Sequence, residues 1–525
     1  MKKFWVRCTC WLLCSPIGFS VAQQNTLPMH VFYKEKFLEN TPNQSLETFF
    51  PATENQLNLH RIIRDSSVQY YDGTEWLFKK HWVSFSNSEG SISISPLVDF
   101  TLGKETTDTS GQRLFRNTRG VYIEGELLKR IGFNFVFAEN QARFMNYEAA
   151  FFRSRGEKYI GVGNYSTQNA VIPGGSRTKP FKGNAFDYAY SVGSIHFQAT
   201  KQLDFEFGNT PQFVGVGYRS LLLSDNTLGA LYLRTKWKIS DRWSYQLMFR
   251  KNNNLYRKPL TQQVESVYES KLFGMTYLTF KPISNVSISL FSAGNQLRGD
   301  SLVKHGIALQ MIAPIPLIQN DLIFGNSALF NGISGINIDF ALKQSRFYGQ
   351  LVIDKIGQKH VVAGQVGAHF FKIASVKNLH AQVEVNLVPK DFYADKNPKL
   401  SYSNFNLPLA HIKGNNFGEI IVRGDYEVKR FFVSSKSVYY AGLKGNDSIP
   451  MTSHSIFEMQ FNVPNQTATT FIQEFELGYR INRKYNALFS IGWKGRFYQS
   501  SVGKLDQQMV FIGLKTGIFN QYLDF

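Results

Sequence analysis

The chain has 525 residues, 15% of them aromatic and 18% charged, with 58 Lys and Arg against 39 Asp and Glu. So many Phe and Tyr exclude a disordered chain. A mean hydropathy of −0.22, with no apolar run of about 20 residues beyond the N-terminus, excludes a helical membrane protein. Three or four small soluble domains, one very large one, or a β-barrel whose strands are only half apolar satisfy these limits.

Residues 1–22 read as a signal peptide. Lys2, Lys3 and Arg7 form a basic start, an apolar stretch runs from about Cys8 to Phe19, and Ser20-Val21-Ala22 supplies the small residues of a cleavage site. Pro16 breaks the run, which argues against a membrane anchor. Leu13 stands where a lipobox ending in Cys14 needs a small residue. Cys8, Cys10 and Cys14 all lie in this segment. The remainder therefore has no thiol for disulfides, metal binding or catalysis. Without Lys2, Lys3 and Arg7, 55 basic residues face 39 acidic ones. A basic exported chain points to lipopolysaccharide phosphates, acidic glycans or the membrane surface as partners, and away from nucleic acid.

Residues 23–80 mix short helix-like pieces, such as Met29–Asn40, with polar linkers, and read as an N-terminal periplasmic segment. From about residue 82 the period becomes two, and 81–525 reads as a barrel. Ile92, Ile94, Pro96, Val98, Phe100 and Leu102 alternate with Ser91, Ser93, Ser95, Leu97, Asp99 and Thr101, the pattern of a half-exposed strand. Leu231, Leu233, Trp237 and Ile239 do the same against Tyr232, Arg234, Lys236 and Lys238. So do Phe471, Phe475, Leu477, Tyr479 and Ile481 against Glu474, Glu476 and Arg480.

Short turns fall near Lys129-Arg130, Lys201-Gln202, Ser240–Arg242, Pro282–Asn285, Lys343–Ser345, Ser375–Asn378, Lys429-Arg430 and Asn482–Lys484. Longer polar connections separate them: 103–117, 139–183, 208–228, 251–270, 389–416, 443–470 and 498–508. Tight turns on one side and long loops on the other are the layout of an outer-membrane barrel. Eight turns join sixteen strands, and an opening strand near 91–102 and a closing one near 509–518 make eighteen. The stretch 304–330 is ambiguous and widens the range to 16–20. A β-propeller is the soluble rival, but no fixed repeat is present. The final Gln521-Tyr522-Leu523-Asp524-Phe525 is similar to the signal read by the barrel-insertion machinery.

In a barrel, the cationic side of a half-apolar strand faces the interior. Arg234, Lys236, Lys238 and Arg250 are thus expected to line the lumen, either attracting anions or balanced by acids such as Glu474, Glu476 and Asp425. No catalytic constellation, cofactor cradle or metal spacing stands out. The ten His are scattered without HxH or HExxH, His454-Ser455 sits in a Ser/Thr-rich loop, and no helix follows Gly161-Val162-Gly163 or Gly174-Gly175 to cradle phosphate. No enzyme is expected.

Phe213–Asn226 is the most unusual stretch. Gly215 and Gly217 permit conformations closed to other residues. Tyr218 and Arg219 offer a ring face and a planar fork suited to sugars and acid groups. Leu221-Leu222-Leu223 calls for burial, and Ser224-Asp225-Asn226 reads as a turn or cap. The stretch is either a ligand contact or a plug folded into the lumen.

This stretch resembles the signature of RemB-like outer-membrane proteins of gliding bacteria, relatives of the Wzi capsule-assembly barrels. Further pieces agree in order across roughly 80–520: Ser95-Pro-Leu-Val98, Asn117-Thr-Arg-Gly120, Ala138-Glu-Asn-Gln-Ala-Arg-Phe144, Phe186-Asp-Tyr-Ala-Tyr190, Phe347-Tyr-Gly-Gln-Leu-Val-Ile-Asp354, and Asn406-Leu-Pro-Leu-Ala-His411 with Gly414-Asn-Asn-Phe-Gly-Glu419. Where such a motif reads Gly-Asp-Gly-Tyr-Arg, this chain has Gly215-Val216-Gly217-Tyr218-Arg219. The resemblance implies a barrel of about eighteen strands with a helical periplasmic segment. It also implies a non-enzymatic role in holding surface polysaccharide, in capsule attachment or gliding motility. Tyr218, Arg219, Asp225 and Asn226 are the candidate polysaccharide contacts, with Arg119, Gln141 and Arg143 as further ones. A porin-like channel for anionic solutes and a structural partner of an adhesin or secretion machinery are the alternatives.

Overall fold

The computed structural model describes residues 30–52, 75–78, 81–108, 110–157, 168–227, 229–257, 268–298, 330–356, 359–395, 397–442, 468–501 and 503–525. The expected signal peptide, nearly all of the ambiguous stretch 304–330, the pair His454-Ser455 and Gly161–Gly163 lie outside these residues.

Eighteen antiparallel strands close into a barrel. In chain order they are β1 Gly90–Glu105, β2 Arg113–Leu127, β3 Ile131–Arg143, β4 Ala185–Gln198, β5 Leu203–Gly208, β6 Tyr232–Lys238, β7 Trp243–Arg257, β8 Tyr268–Ile283, β9 Val286–Leu297, β10 Phe330–Leu342, β11 Ser345–Ile356, β12 Lys359–Phe371, β13 Leu379–Val388, β14 Phe417–Val428, β15 Phe431–Gly442, β16 Thr469–Asn482, β17 Ala487–Gln499 and β18 Lys504–Thr516. Each pairs with its sequence neighbours, and β18 closes on β1 with Ile512 opposite Leu102 and Lys515 opposite Asp99. Closure removes the two open edges that a sheet of this size would otherwise expose. No helix among the described residues is long and apolar enough to cross a membrane.

The alternation in the sequence becomes the two faces of this wall. Leu102, Leu231, Leu233, Trp237, Phe475 and Leu477 are exposed on the outside, where lipid would cover them. Ser287, Ser289, Asn337 and Asp339 are buried on the inside. Outward rings stack near the turn end, Trp243 on Phe280 at 4.3 Å and Phe431 edge-on to Tyr479 at 5.1 Å. Such aromatic girdles mark a membrane–water boundary.

All eight expected tight turns are present, between β2 and β3 and then between every second pair up to β16 and β17. In the first, Leu128 and Lys129 take φ of 53° and 55°, the left-handed geometry that matches hairpin twist. The opposite connections are less uniform than expected. Only two residues separate β11 from β12, and four separate β17 from β18.

Among the described residues, four segments enter the lumen. The first belongs to the stretch read as periplasmic: residues 30–52 dock into the turn-end mouth. Helix α1, Val31–Asn40, places Tyr33 Oη 2.9 Å from the carbonyl of Lys484. Beyond it, the Ser45 amide donates to Ser284 at 2.8 Å, and the Lys343 amide donates to Asn43 Oδ1 at 2.8 Å. All three acceptors or donors on the wall belong to tight turns or their borders. Phe49–Phe50 then pairs inside the barrel with Phe213–Val214. The second and third fillers are the connections 209–231 and 389–416. The fourth is Gly517–Phe525. The last strand ends at Thr516, close to the expected end near residue 518, and Phe525 is buried inside. It stacks at 3.9 Å on Phe151 of helix α2, Asn146–Ser154, in the β3–β4 connection.

Candidate functional site

The plug is built around apolar burial and then pinned by charge. Leu221, Leu222 and Leu223 are fully buried among Tyr393, Tyr402 and Leu409 of the 389–416 connection. Burial of this kind stabilises by about 1.5–3 kcal/mol per side chain. Tyr393 and Tyr402 donate their hydroxyls to the carbonyls of Leu221 and Leu222 at 2.7 and 2.8 Å, so the buried backbone stays paired. Gly215 adopts φ +112°, and a side chain there would meet Gln350 Nε2 at 2.5 Å.

Arg219 is the hub. Its Nη2 reaches Asp524 Oδ1 at 2.9 Å, Glu419 Oε1 at 3.2 Å and Tyr440 Oη at 2.9 Å. The carboxylate of Glu384 accepts the backbone amides of Tyr218 and Arg219 at 2.7 and 3.0 Å. Tyr218 donates to Asp524 Oδ2 at 2.7 Å. Its ring is faced by Arg219, Arg423 and Lys436 at 4.8, 5.0 and 5.3 Å, a cation–π arrangement. Burial by itself would raise the Asp524 carboxyl, but the charges of Arg219 and Lys436 override it and hold the group well below the usual carboxylate range. Asp225 accepts from Tyr522 Oη at 2.8 Å and from Asn520 Nδ2 at 2.9 Å. Burial pushes its carboxyl upward. Asn226 donates to the Ala410 carbonyl at 3.1 Å.

Tyr218, Arg219, Asp225 and Asn226 are therefore brought together, but as the internal fastening of the plug. Arg219 is only 2% exposed, and its fork grips this chain's own carboxylates. Arg119, Gln141 and Arg143 are not part of that group. Arg119 pairs with Glu139, and Gln141 with Asn117, in register with the outward Phe135 and Phe137. They stand on the outer face toward the loop end. Arg143 ends the same strand, its guanidinium on the carbonyls of Arg113 and Lys182. The barrel wall separates Arg119 and Gln141 from the plug group, while Arg143 borders the same cavity as Tyr218 with its guanidinium engaged at the strand end.

The expected luminal cations are similarly engaged. Arg234 pairs with Glu206 and also holds Gln212 and the Pro51 carbonyl. Lys236 meets Glu47 at 2.5 Å, and Arg250 donates to Thr227 Oγ1 at 3.1 Å. These three tie plug segments to the wall. Lys238 keeps the inward phase, opposite the buried Ser244, but at the turn end, where it is half exposed and paired with Asp241 at 2.7 Å. The acids named with them have other partners, Glu474 with Lys436 and Lys494, Glu476 with Lys515, and Asp425 with Arg423. Charge balance, rather than a net cationic field, describes this lumen.

A cavity of about 410 Å³ remains between α1, the 517–523 segment and the wall strands β1, β2 and β14–β18. Its lining alternates in sign: Lys436, Lys494 and Lys515 with Glu474, Glu476 and Asp425. Paired charges of this kind offer donors and acceptors to a polar guest without a strong bias for either ionic sign. Among the described residues, one group could hold a metal ion: Glu35, His380 and Asp425, whose ligand atoms lie within 4.8 Å of one another. Sequence spacing could not reveal it, because the three come from α1, β13 and β14. Glu384, Glu419 and Lys436 were also missed. Their signal was an ionisable residue on the inward phase of an alternating strand, as in Val383-Glu384-Val385.

No family model matches the sequence, and no curated protein matches it. Solved structures do match in fold. Wzi from Escherichia coli, a carbohydrate-binding outer-membrane barrel involved in group 1 capsule assembly, aligns with a TM-score of 0.51 at 11% identity, over 94% of this chain and 100% of that one. OpdK of Pseudomonas aeruginosa aligns with a TM-score of 0.43 at 8% identity, over 81% and 98%. OprD of the same organism gives 0.41 and 8%, over 83% and 96%. The Wzi match agrees with an eighteen-strand barrel of the outer-membrane type.

Proposed function

We propose that this chain is a non-enzymatic outer-membrane barrel that binds or organises cell-surface polysaccharide, in capsule attachment or gliding motility. The observation that carries the reading is the filled lumen, fastened by Arg219 to Glu419 and Asp524. A barrel closed in this way has its loop end as its working surface. The carbohydrate-binding role of Wzi, a barrel of the same fold, supports the same assignment. Exposed Arg153, Lys179 and Lys182 on the β3–β4 connection suit an acidic glycan. Tyr218 and Arg219 then act indirectly, by holding the loop-end surface in place.

The test is calorimetric titration of the detergent-purified barrel with polysaccharide from its own host, at two salt concentrations. Saturable binding that weakens with salt supports an acidic glycan. A folded barrel that binds at neither salt rejects the reading. A porin-like channel is the second reading, and the cavity of about 410 Å³ beside α1 is the observation in its favour, although its paired charges favour anions no more than cations.

A further inference from the structure

The group Glu35, His380 and Asp425 lies where the mouth helix α1 meets strands β13 and β14. Its hydrogen bonds set the tautomer that a neutral His380 adopts. His369 Nε2 lies 2.9 Å from the Val216 carbonyl, which can only accept, so that nitrogen carries a proton. In a neutral His369 the other nitrogen, Nδ1, then accepts. It lies 3.0 Å from His380 Nε2, so His380 donates there. In a neutral His380 the Nδ1 is then left with its lone pair.

That lone pair has no hydrogen-bond partner, and the His380 side chain is only 9% exposed. It faces Glu35 Oε1 and Asp425 Oδ2, each at 3.8 Å. A lone pair opposite two carboxylate oxygens is an arrangement that lacks a cation. Arg423 supplies one positive charge, at 2.6 Å from Glu35 Oε1 and 3.3 Å from Asp425 Oδ2. Two carboxylates against one guanidinium leave one negative charge over. Lys34, the neighbouring cation on α1, directs its ammonium to the Gly217 carbonyl at 2.6 Å instead.

We propose that Glu35, His380 and Asp425 bind a divalent transition-metal ion of the zinc type, which pins α1 in the barrel mouth. One imidazole nitrogen and two carboxylate oxygens are a donor set for such an ion. Bonds of about 2.0–2.2 Å in tetrahedral geometry place ligand atoms about 3.4 Å apart, so the two 3.8 Å distances from His380 need a contraction of a few tenths of an ångström, and the two carboxylate oxygens, within 4.8 Å of each other, close on the ion by a side-chain movement of Glu35. Each carboxylate oxygen has a second lone pair, on which Arg423 can remain. His369 is the outer partner that orients a metal-bound histidine. It is itself packed parallel to Phe371, 5.9 Å between ring centroids, and is tied through Val216 to the plug. The cavity that Glu35, His380 and Asp425 line gives the ion its entry and room for a water as fourth ligand.

The test titrates zinc chloride into the EDTA-stripped, untagged full chain in detergent, and follows tryptic cleavage after Lys34 and Lys36 in α1. One equivalent should bind per chain and slow that cleavage. His380→Ala should weaken binding by about tenfold or more and abolish the protection. Glu35→Gln, on the helix rather than the wall, should do the same if the His380 variant fails to fold. Absence of saturable zinc binding in a folded barrel overturns the proposal, as does binding that neither variant alters. Protection that follows acidification alone, with zinc adding nothing, places a proton on His380 and also overturns it.

Discussion

Arg219 and Asp524, 305 positions apart in the chain, meet at 2.9 Å in the filled lumen. The contact joins the 209–231 connection to the segment that follows the last strand, and Glu419 extends it to the wall. Removing one member of a buried pair costs about 3–5 kcal/mol, because the partner is left charged and dry. Arg219→Ala should therefore loosen the plug without opening the wall. The expected result is a heat-modifiable barrel on gels with new channel openings in planar bilayers. A variant as closed as wild type would show that Arg219 does not fasten the plug.

Acid should act on the same contact. The Asp524 carboxyl lies below its ordinary range in the folded chain. Its contribution to plug docking is complete above the ordinary carboxylate pKa of about 3.9. It is lost as pH falls through the depressed folded value. Channel openings should stay rare at pH 7 and 5 and increase only well below pH 4, and Asp524→Asn should remove that pH dependence. Openings that begin near pH 6 would assign the effect to another group.

Gly215 gives a backbone test. Its φ of +112° and the 2.5 Å approach of Gln350 Nε2 to an added Cβ leave no room for a side chain. Gly215→Val should displace Phe213–Leu223 and raise trypsin sensitivity at Arg219. Gly364, where an added Cβ meets nothing within 4 Å, serves as control, and Gly364→Ala should leave the pattern unchanged.

The paired lumen makes a prediction about charge. Lys236 and Glu47 lie at 2.5 Å with about a fifth of each side chain exposed, a largely buried setting in which desolvation offsets much of the attraction, so that replacing both partners together costs little. Made in the Arg219→Ala background, whose channel opens, the double change Lys236→Gln with Glu47→Gln should leave melting temperature and ion selectivity as they are in that background. A pronounced shift toward cation selectivity would mean that Lys236 acts as a free luminal charge.

Arg119 belongs to the outer face, and Arg143 ends the neighbouring strand. Arg119→Ala with Arg143→Ala should reduce lipopolysaccharide co-purifying with the barrel, most visibly at low salt. Calorimetric binding of surface polysaccharide should be unchanged. Loss of polysaccharide binding would return these residues to the glycan site.

The wall was legible because its signal is local. Ile92 to Leu102 and Leu231 to Ile239 alternate with single breaks at Leu97 and Thr235, and each tight turn falls between two such runs. The lumen was legible only in part. Leu221-Leu222-Leu223 announced burial, but what buries it, Tyr393 and Tyr402, lies about 170 to 180 positions away. The partners of Arg219 are equally distant, and no periodicity links Arg219 to Glu419 or Asp524. The same distance hides the Glu35, His380 and Asp425 group, which exists only because α1 folds back into the mouth. That residues 30–52 and 517–525 fold into the lumen was not legible, because strand patterning carries no information about which segments turn inward.

Single-channel recording of the purified, folded barrel in a planar bilayer at neutral pH tests the central claim most directly. A plugged barrel that works at its surface should show no steady current, with openings appearing in Arg219→Ala. A steady, ohmic, anion-selective current from the wild-type chain would contradict the account and favour the pore reading.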